Sequence, residues 1–447
     1  MIHVKINHVK HLIDRGVLYL KIKIVKMNLF KYSIVLSLTM LLGCKDNNNK
    51  TSIQSISPLD RNKSIRINRV DELNFDNEQA RKIKIPADVL EERQIKVEEL
   101  FSNIEFTPLE TTDKSIIGSI NKIICDSNFY FIHDKRNNKV LRFNNEGKFL
   151  NSIGSIGKGP MEVANIGDVA INRDKKFVSI LDYKLKKIVK YTYSGKYLFS
   201  EPLFYVVSQH EYADNEAMVF SVTRAQRNTD IPAIDSYGLL LADKESVPFA
   251  VAFKNPKKSF SNKTINPLRS FGGKIYYHHP FSDGIWQIED SIIRPILKFE
   301  FEKNGLSPEV WKESINNKEF NKLLDKNILF SGDYVILNDL WFLQVYTNNQ
   351  PVGALFYNYN TGALKYGVGL RYSKEIPLSF LVGYPNGITD DGFFISIREA
   401  MDLHSIKKIF LKNKKIKETL RRKDWDKLNK IKPTDNPVIV TYKLKDF

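Results

Sequence analysis

Short apolar runs separated by polar turns fill most of the chain beyond its N-terminal region. In one example an apolar run ends at Asp134, the turn "KRNN" follows, the run "KVLRF" comes next, and "NNEG" turns the chain again. Runs of this length between such turn residues predict hairpin-linked β-strands. Other runs, such as "NFYFI", are apolar throughout, which predicts sheets that are covered on both faces.

An internal repeat organises these strands. Residues 131–150 align without a gap to residues 179–198, and matched positions such as Asp134 and Asp182 lie 48 residues apart. A fixed period of this size predicts a repeat fold, and hairpin-linked strands at this period are typical of propeller blades. The chain without its irregular segments is about six periods long. We therefore predict an all-β fold, a six-bladed β-propeller, with seven blades as the alternative.

Two segments depart from the strand pattern and predict small helical insertions. Residues 307–328 begin with Ser307 as a helix N-cap and Pro308 at the first helical position. Residues 404–432 contain twelve Lys/Arg and three acidic residues, with loosely helical apolar spacing. This basic stretch is either a solvated helix surface or a contact for anionic lipid headgroups or lipopolysaccharide.

The N-terminal region has the features of an export signal. Lys31 precedes an apolar run of 11 residues, Tyr32 to Leu42, which is too short to span a bilayer and fits a secretory signal. The run ends in Leu-Leu-Gly-Cys at Cys44, which resembles the bacterial lipobox. That resemblance implies cleavage before Cys44 and attachment of acyl chains to it. Because Met27 begins a signal of ordinary length, we expect the true start there.

These observations divide the chain into three parts. Residues 1–43 are a leader and lipoprotein signal peptide, residues 44–64 are a polar, lipidated tether, and residues 65–447 are the propeller. The formal charge of +17 is concentrated in residues 1–43 and 404–432. This local distribution argues against a nucleic-acid partner.

The glycine-rich stretch "IGSIGKGPME", residues 153–162, has the composition of a phosphate loop but lacks the spacing. In a Walker A motif a Ser or Thr follows the Lys, whereas Gly159 and Pro160 follow Lys158 here, and the dinucleotide pattern fails at Glu162. We predict a crossover between two blades, where glycines permit tight turns.

Three stretches carry a resemblance to a known family: "FTPLETTDKSIIGSI", the segment from "FIHDKRNNKVLRF" to "GPMEV", and the terminal "NPVIVTYKL". They resemble the six-bladed β-propeller lipoproteins of Gram-negative anaerobes, whose blades are similar to NHL repeats. The resemblance implies an outer membrane lipoprotein on the periplasmic or cell-surface side, in some cases near nutrient-uptake systems. It supplies no catalytic residues.

The sequence offers few candidates for chemistry. No metal-ligand spacing, nucleophile elbow or cofactor motif is present, so we assign no catalytic residue, metal or cofactor. Asp134 and Asp182 are expected to be turn residues that accept backbone N–H groups. His278, His279 and Trp286, in one predicted strand–turn–strand segment, are the candidate ligand-binding residues.

Three functional hypotheses follow. The first is a cell-envelope lipoprotein, held to the membrane by its lipid, that binds a glycan, a peptide or an outer-membrane uptake protein. The second is a propeller lyase or hydrolase with an axial His, Asp or metal site. The third is a non-catalytic scaffold subunit. A propeller has a funnel at its axis to which every blade contributes, so the lining of that funnel should separate the hypotheses.

Overall fold

The computed structural model describes residues 67, 69–89, 91, 93–213, 216–223, 228–255, 266–280, 282–289, 292–306, 310, 317–347, 350–373, 376–410, 418 and 420–447. The described strands, in chain order, are β1 (Asp71–Glu72), β2 (Asn74–Phe75), β3 (Arg81–Ile85), β4 (Gln94–Lys96), β5 (Phe101–Pro108), β6 (Ile120–Asp126), β7 (Phe129–Asp134), β8 (Lys139–Asn144), β9 (Phe149–Ile153), β10 (Ser155–Ile156), β11 (Glu162–Val163), β12 (Ile166–Asn172), β13 (Phe177–Asp182), β14 (Lys187–Thr192), β15 (Tyr197–Pro202), β16 (Gln209–Tyr212), β17 (Met218–Ser221), β18 (Tyr237–Ala242), β19 (Pro248–Lys254), β20 (Leu268–Phe271), β21 (Lys274–Tyr277), β22 (Gly284–Glu289), β23 (Ile292–Phe301), β24 (Leu329–Leu337), β25 (Leu340–Thr347), β26 (Gln350–Asn358), β27 (Leu364–Gly367), β28 (Gly369–Arg371), β29 (Gly387–Ile388), β30 (Phe394–Arg398) and β31 (Val438–Leu444). The described helices are α1 (Val97–Leu100), α2 (Asn317–Leu324), α3 (Ala400–Phe410), α4 (Arg422–Lys430) and a 3-10 turn at Ser379–Leu381.

Six antiparallel sheets form the blades of a propeller, as predicted. Blade 1 contains β6–β9, blade 2 β12–β15, blade 3 β16–β19, blade 4 β20–β23 and blade 5 β24–β27, each in sequence order. Blade 6 contains β29, β30, β31 and β5. The first strands of neighbouring blades contact one another all the way round, β6 to β12 and finally β29 to β6. These six inner strands therefore surround the axis.

Strand β5, which comes just before blade 1 in the chain, closes the ring. It pairs antiparallel with the C-terminal β31, with Val438 opposite Pro108 and Leu444 opposite Phe101. The Phe101 ring is fully buried and lies 4.8 Å from the ring of Tyr442 and 5.4 Å from that of Phe356. Blade 6 is thus made from both ends of the domain, an arrangement that the sequence pattern did not predict.

A second feature that the sequence did not predict is an outer belt, which we define as β1–β4. β1 pairs in parallel with β19 of blade 3, and β2 and β3 pair in parallel with β23 of blade 4. β4 pairs with β28, just after blade 5. The belt thus covers the outer edges of blades 3 and 4, and such cover removes unpaired strand edges that could join to other chains.

The packing of the blades explains the continuous apolar runs. All six residues of β13 are buried, and β7 is buried from Tyr130 to Asp134. Such strands have neighbouring blades on both faces, so neither face needs polar side chains.

The repeat aligns blade 1 with blade 2 in the structure. Asp134 and Asp182 each end the second strand of a blade. The Asp134 carboxylate accepts the backbone N–H groups of Gly118 (2.8 Å) and Ser119 (2.9 Å). The Asp182 carboxylate accepts the backbone N–H groups of Ala164, Lys184 and Leu185. The predicted role of both residues in turns is confirmed.

The stretch 153–162 is a crossover between blades 1 and 2, as predicted. β10 pairs in parallel with β11, and the chain then enters β12. Gly154 has φ +76°, and a Cβ on Gly157 would lie 1.9 Å from Oε2 of Glu162. The glycines therefore serve the path of the backbone.

Helices occupy both predicted insertions. α2 lies within the first insertion. α4 lies within the second and α3 begins just before it, and both of these helices lie between β30 and β31 of blade 6. Residues 307–309, 311–316, 411–417 and 419 of these insertions lie outside the described residues. Among the helices that the structure describes, none is long and apolar enough to cross a membrane.

Candidate ligand site at the propeller axis

A cavity of about 300 Å³ lies among the inner strands of the blades. Residues Ile120 to Cys125 of β6 form one wall, and Leu268 to Phe271 of β20 form another. Glu211 of β16, Asp333 of β24 and Gly387 of β29 contribute from three more blades. Because Ile171 of β12 supplies the sixth, all six blades reach this cavity.

The cavity lining combines aliphatic and charged groups. Its charged side chains are Lys122, Arg173, Glu211, Arg269 and Asp333. Its amides are Asn121, Asn266 and Asn386. Phe271 is the single aromatic residue among the described residues that line it, and its side chain is buried. The lining thus offers both signs of charge but no broad aromatic platform.

Lys122 bridges two buried carboxylates from neighbouring blades. Its Nζ lies 2.9 Å from Oε1 of Glu211 and 3.2 Å from Oδ1 of Asp168. Burial alone would lower the pKa of Lys122, but the two carboxylates outweigh it and the net shift is upward. Burial likewise opposes ionisation of Asp168, and the charge of Lys122 with the hydrogen bonds from His210 lowers its pKa overall. Lys122 and Asp168 are therefore both charged at neutral pH.

Asp168 also belongs to a Ser–His–Asp arrangement. His210 Nδ1 lies 3.1 Å from Oδ2 of Asp168, and His210 Nε2 lies 2.7 Å from Oγ of Ser179. These are the contacts of a hydrolase triad. However, Ser179 and His210 are completely buried and Asp168 is 1% exposed. A substrate carbonyl has no access to the Ser179 hydroxyl, so the arrangement links blade 2 to blade 3 instead.

The second charged pair, Arg269 with Asp333, is the more accessible one. Arg269 donates to Oδ1 of Asp333 (3.1 Å) and to the carbonyl oxygen of Asn386 (3.3 Å). The side chains of Arg269 and Asp333 remain 14% and 22% exposed. The pair joins blades 4, 5 and 6 at the cavity and can exchange partners with a ligand, because a guanidinium offers several donors in one plane.

The predicted site residues lie elsewhere: His279 and Trp286 lie between blades 3 and 4, and His278 lies between blades 4 and 5, where its ring contacts Phe330. His278 is buried, and its Nδ1 contacts the carbonyl oxygen of Gly284 at 2.8 Å. The ring of His279 stacks on that of Phe253, which the ring of Trp286 also contacts at 5.0 Å. Burial lowers the pKa of His278 to about 4 and that of His279 to about 3. None of the three residues lines the axial cavity, and their ligand-binding role stays a prediction.

Other sequence predictions meet the structure only in part. Cys44 and the leader lie outside the described residues. Cys125 is buried in the core, and burial raises the pKa of its thiol to about 12. Within the described part of the chain, no three His, Cys, Asp or Glu side chains are grouped so that they could hold a metal ion.

The charged residues of the cavity were missed from the sequence. Lys122 stands inside the apolar strand "INKIICD", and Arg269 stands inside "LRSF". A charge within the first strand of a blade was the available signal, because that strand lies beside the axis. Charges in short strands are common, however, and the signal becomes specific only when strands from several blades meet.

The fold and the cavity define a class, a six-bladed β-propeller with a polar axial site. Residues 80–443 match the family described as "Domain of unknown function (DUF4934)", and the chain belongs to that family. No curated protein matches the chain in sequence.

One solved structure among those that match supports the fold. The chain is similar to a Bacteroides fragilis protein described as exported, with a TM-score of 0.63 and 17% identity over 82% of this chain and 100% of that one. It also matches a DUF4221 family member from Bacteroides vulgatus (TM-score 0.42, 10% identity, 78% and 99% covered). BamB from Moraxella catarrhalis matches with a TM-score of 0.33 and 11% identity, over 65% and 75%. At its low identity, the likeness to the B. fragilis structure shows the propeller fold alone.

Proposed function

We propose that this protein is an exported cell-envelope lipoprotein whose axial cavity binds a small peptide or another zwitterionic ligand. The observation that carries the proposal is the partly exposed Arg269–Asp333 pair within a cavity that all six blades line. A ligand carboxylate fits Arg269, and a ligand ammonium group fits Asp333. The aliphatic wall of β6 would receive an apolar side chain.

Among the three hypotheses, ligand binding has the most support. A glycan site would use aromatic faces for stacking, whereas the described lining has only the buried Phe271. A hydrolase that used the Ser179–His210–Asp168 arrangement would need substrate access to Ser179, whereas that arrangement is enclosed. A pure scaffold has no need for partly exposed charges in its axial channel, since buried charges are costly to maintain.

The binding proposal is tested by calorimetry with di- and tripeptides, free amino acids and neutral oligosaccharides. We expect a peptide to bind and Arg269→Gln to weaken its affinity about 10- to 100-fold, because a hydrogen bond to a charged group is lost. Arg294→Gln is the matched control. Arg294, on β23, forms ion pairs with Asp76 and Glu289 and does not line the cavity. If only the oligosaccharides bind, the cavity is a binding site but its ligand is not a peptide. If no compound binds, the proposal that the cavity binds a ligand is refuted as well.

The envelope location rests on the lipobox resemblance at Cys44 and on the exported description of the B. fragilis relative. We expect the protein to fractionate with the outer membrane and to incorporate a labelled fatty acid. Cys44→Ser should abolish the label and move the protein to the soluble fraction. Cys125→Ser is the control, and equal labelling of both variants would contradict lipidation at Cys44.

A further inference from the structure

One face of blades 1 and 2 has a surface that the axial site does not use. Strands in a blade alternate in direction, so the turns between second and third strands lie on the same face as the blade-to-blade crossovers. We define the basic face as residues 135–138, 154–165 and 183–186. Asn138 Nδ2 donates to the carbonyl oxygen of Ala164, and the N–H of Tyr183 donates to that of Asn165. The three segments therefore form one continuous surface.

The exposed charges of the basic face have one sign. Lys135, Arg136, Lys158, Lys184 and Lys186 are exposed there. Its single acidic residue is Glu162, which is half-buried and accepts the backbone N–H of Gly159 at 2.9 Å. The five exposed cations outnumber this one carboxylate, so the surface has a net positive charge that attracts anions.

Large apolar side chains stand among these charges. Ile156 is 55% exposed, Met161 57% and Tyr183 46%. The crossover that presents the first two is held in place, because Lys187 Nζ donates to the carbonyl oxygen of Gly159 (2.8 Å) and the Tyr191 hydroxyl donates to that of Met161 (2.7 Å). An ordered loop that exposes two large apolar residues between lysines is suited to an interface.

The basic insertion of blade 6 extends the same surface. Like the turns of the basic face, this insertion lies between the second and third strands of its blade. Asn436, just after the insertion, donates to the carbonyl oxygens of Glu110 and Ser115, which lie in the crossover before blade 1. Lys423, Lys427 and Lys430 of α4 are exposed and recur at helical spacing, opposite the buried Leu428. That crossover meets the basic face where Asn137 donates to the carbonyl oxygen of Ile116.

We propose that the basic face docks against an anionic lipid surface. Its lysines and arginine contact headgroup phosphates, and Ile156 and Met161 enter the boundary between headgroups and acyl chains. This combination of cations with inserted apolar residues is how peripheral proteins bind bilayers. Nucleic acid would use the charges, but Ile156 and Met161 would contribute nothing to binding a phosphate backbone.

The test uses the full chain with Cys44→Ser, so that no acyl chain is attached. Vesicles of phosphatidylcholine with one quarter phosphatidylglycerol should bind it more tightly than pure phosphatidylcholine, and salt should weaken the binding. Lys158→Gln, Lys184→Gln and Lys186→Gln together should reduce affinity about 100-fold, since each basic residue near such a surface contributes about fivefold. Lys148, Lys196 and Lys244 changed to Gln are the matched control, because these exposed lysines lie in turns of the opposite face.

A depth measurement separates this face from any other contact. An environment-sensitive dye on Met161→Cys should shift to shorter emission wavelengths when anionic vesicles are added, whereas the same dye on Lys196→Cys should not. Equal shifts at both positions, or equal losses for both triple variants, would overturn the proposal. The proposal is also overturned if Ile156→Asn and Met161→Asn leave the vesicle affinity unchanged and the protein binds duplex DNA as tightly as vesicles. That result would identify a surface for polyanions in general.

Discussion

Replacement of Asp168 by alanine is expected to lower the free energy of unfolding by about 3–5 kcal/mol, because one partner of a buried ion pair is removed. Lys122 would then keep Glu211 alone, and the backbone N–H of His210, 2.9 Å from Asp168, would lose its acceptor. Denaturant unfolding measures the loss as a lower midpoint with an unchanged slope. The matched control is Asp174→Ala in an exposed turn of the same blade, which should change stability by about 0.5 kcal/mol or less.

The same pair predicts a pH dependence. The pKa of Asp168 is lower in the folded protein than in the unfolded chain, so its contribution is fully present above the unfolded value of about 4 and is lost as pH falls below it. The pKa of Lys122 is raised, so its contribution persists at neutral pH and is lost only in strong alkali. Acid unfolding should therefore be steeper for the wild type than for Asp168→Ala. Parallel acid curves would show that Asp168 is not the titrating group.

Replacement of Phe101 by alanine is expected to destabilise the propeller by about 3–5 kcal/mol, the usual range for a buried phenylalanine. The ring of Phe101 packs against Tyr442 on the adjacent β31 and against Phe356 of blade 5, so its loss opens a void at the closure of the ring. The unfolding midpoint in denaturant reports the effect.

Phe249→Ala is the control for the closure, because Phe249 lies on β19 of blade 3 and is 39% exposed. It should cost about 1 kcal/mol or less. A similar loss for both variants would mean that the closing strand contributes no more than an ordinary surface position.

The local features of the fold were predictable because they depend on neighbours in sequence. The 48-residue spacing of Asp134 and Asp182 marks equivalent strand ends, and the glycines of residues 153–162 mark a crossover. The position of β5 was not predictable in the same way. Its apolar pattern indicates a strand, but nothing in that pattern says that its partner is β31 at the far end of the chain.

The candidate site shows the same limit. Lys122, Glu211 and Asp333 come from three blades, so no single strand brings these charges together. His278 and His279 are candidates in a single strand–turn–strand segment of the sequence, whereas the blade packing buries His279 beside Phe253 and His278 beside Gly284. Whether one of these residues is buried or lies at the axis depends on how the blades assemble. The sequence of a single strand does not show that assembly.

The closure of blade 6 also has a consequence for synthesis. Asn436 bonds to Glu110, 326 residues earlier in the chain. A ribosome that adds about 5–20 residues per second needs roughly 15–65 s to travel that distance. β5 has no antiparallel partner until β31 is made. The time needed for synthesis is therefore the minimum time for which this edge stays open to pairing with another chain.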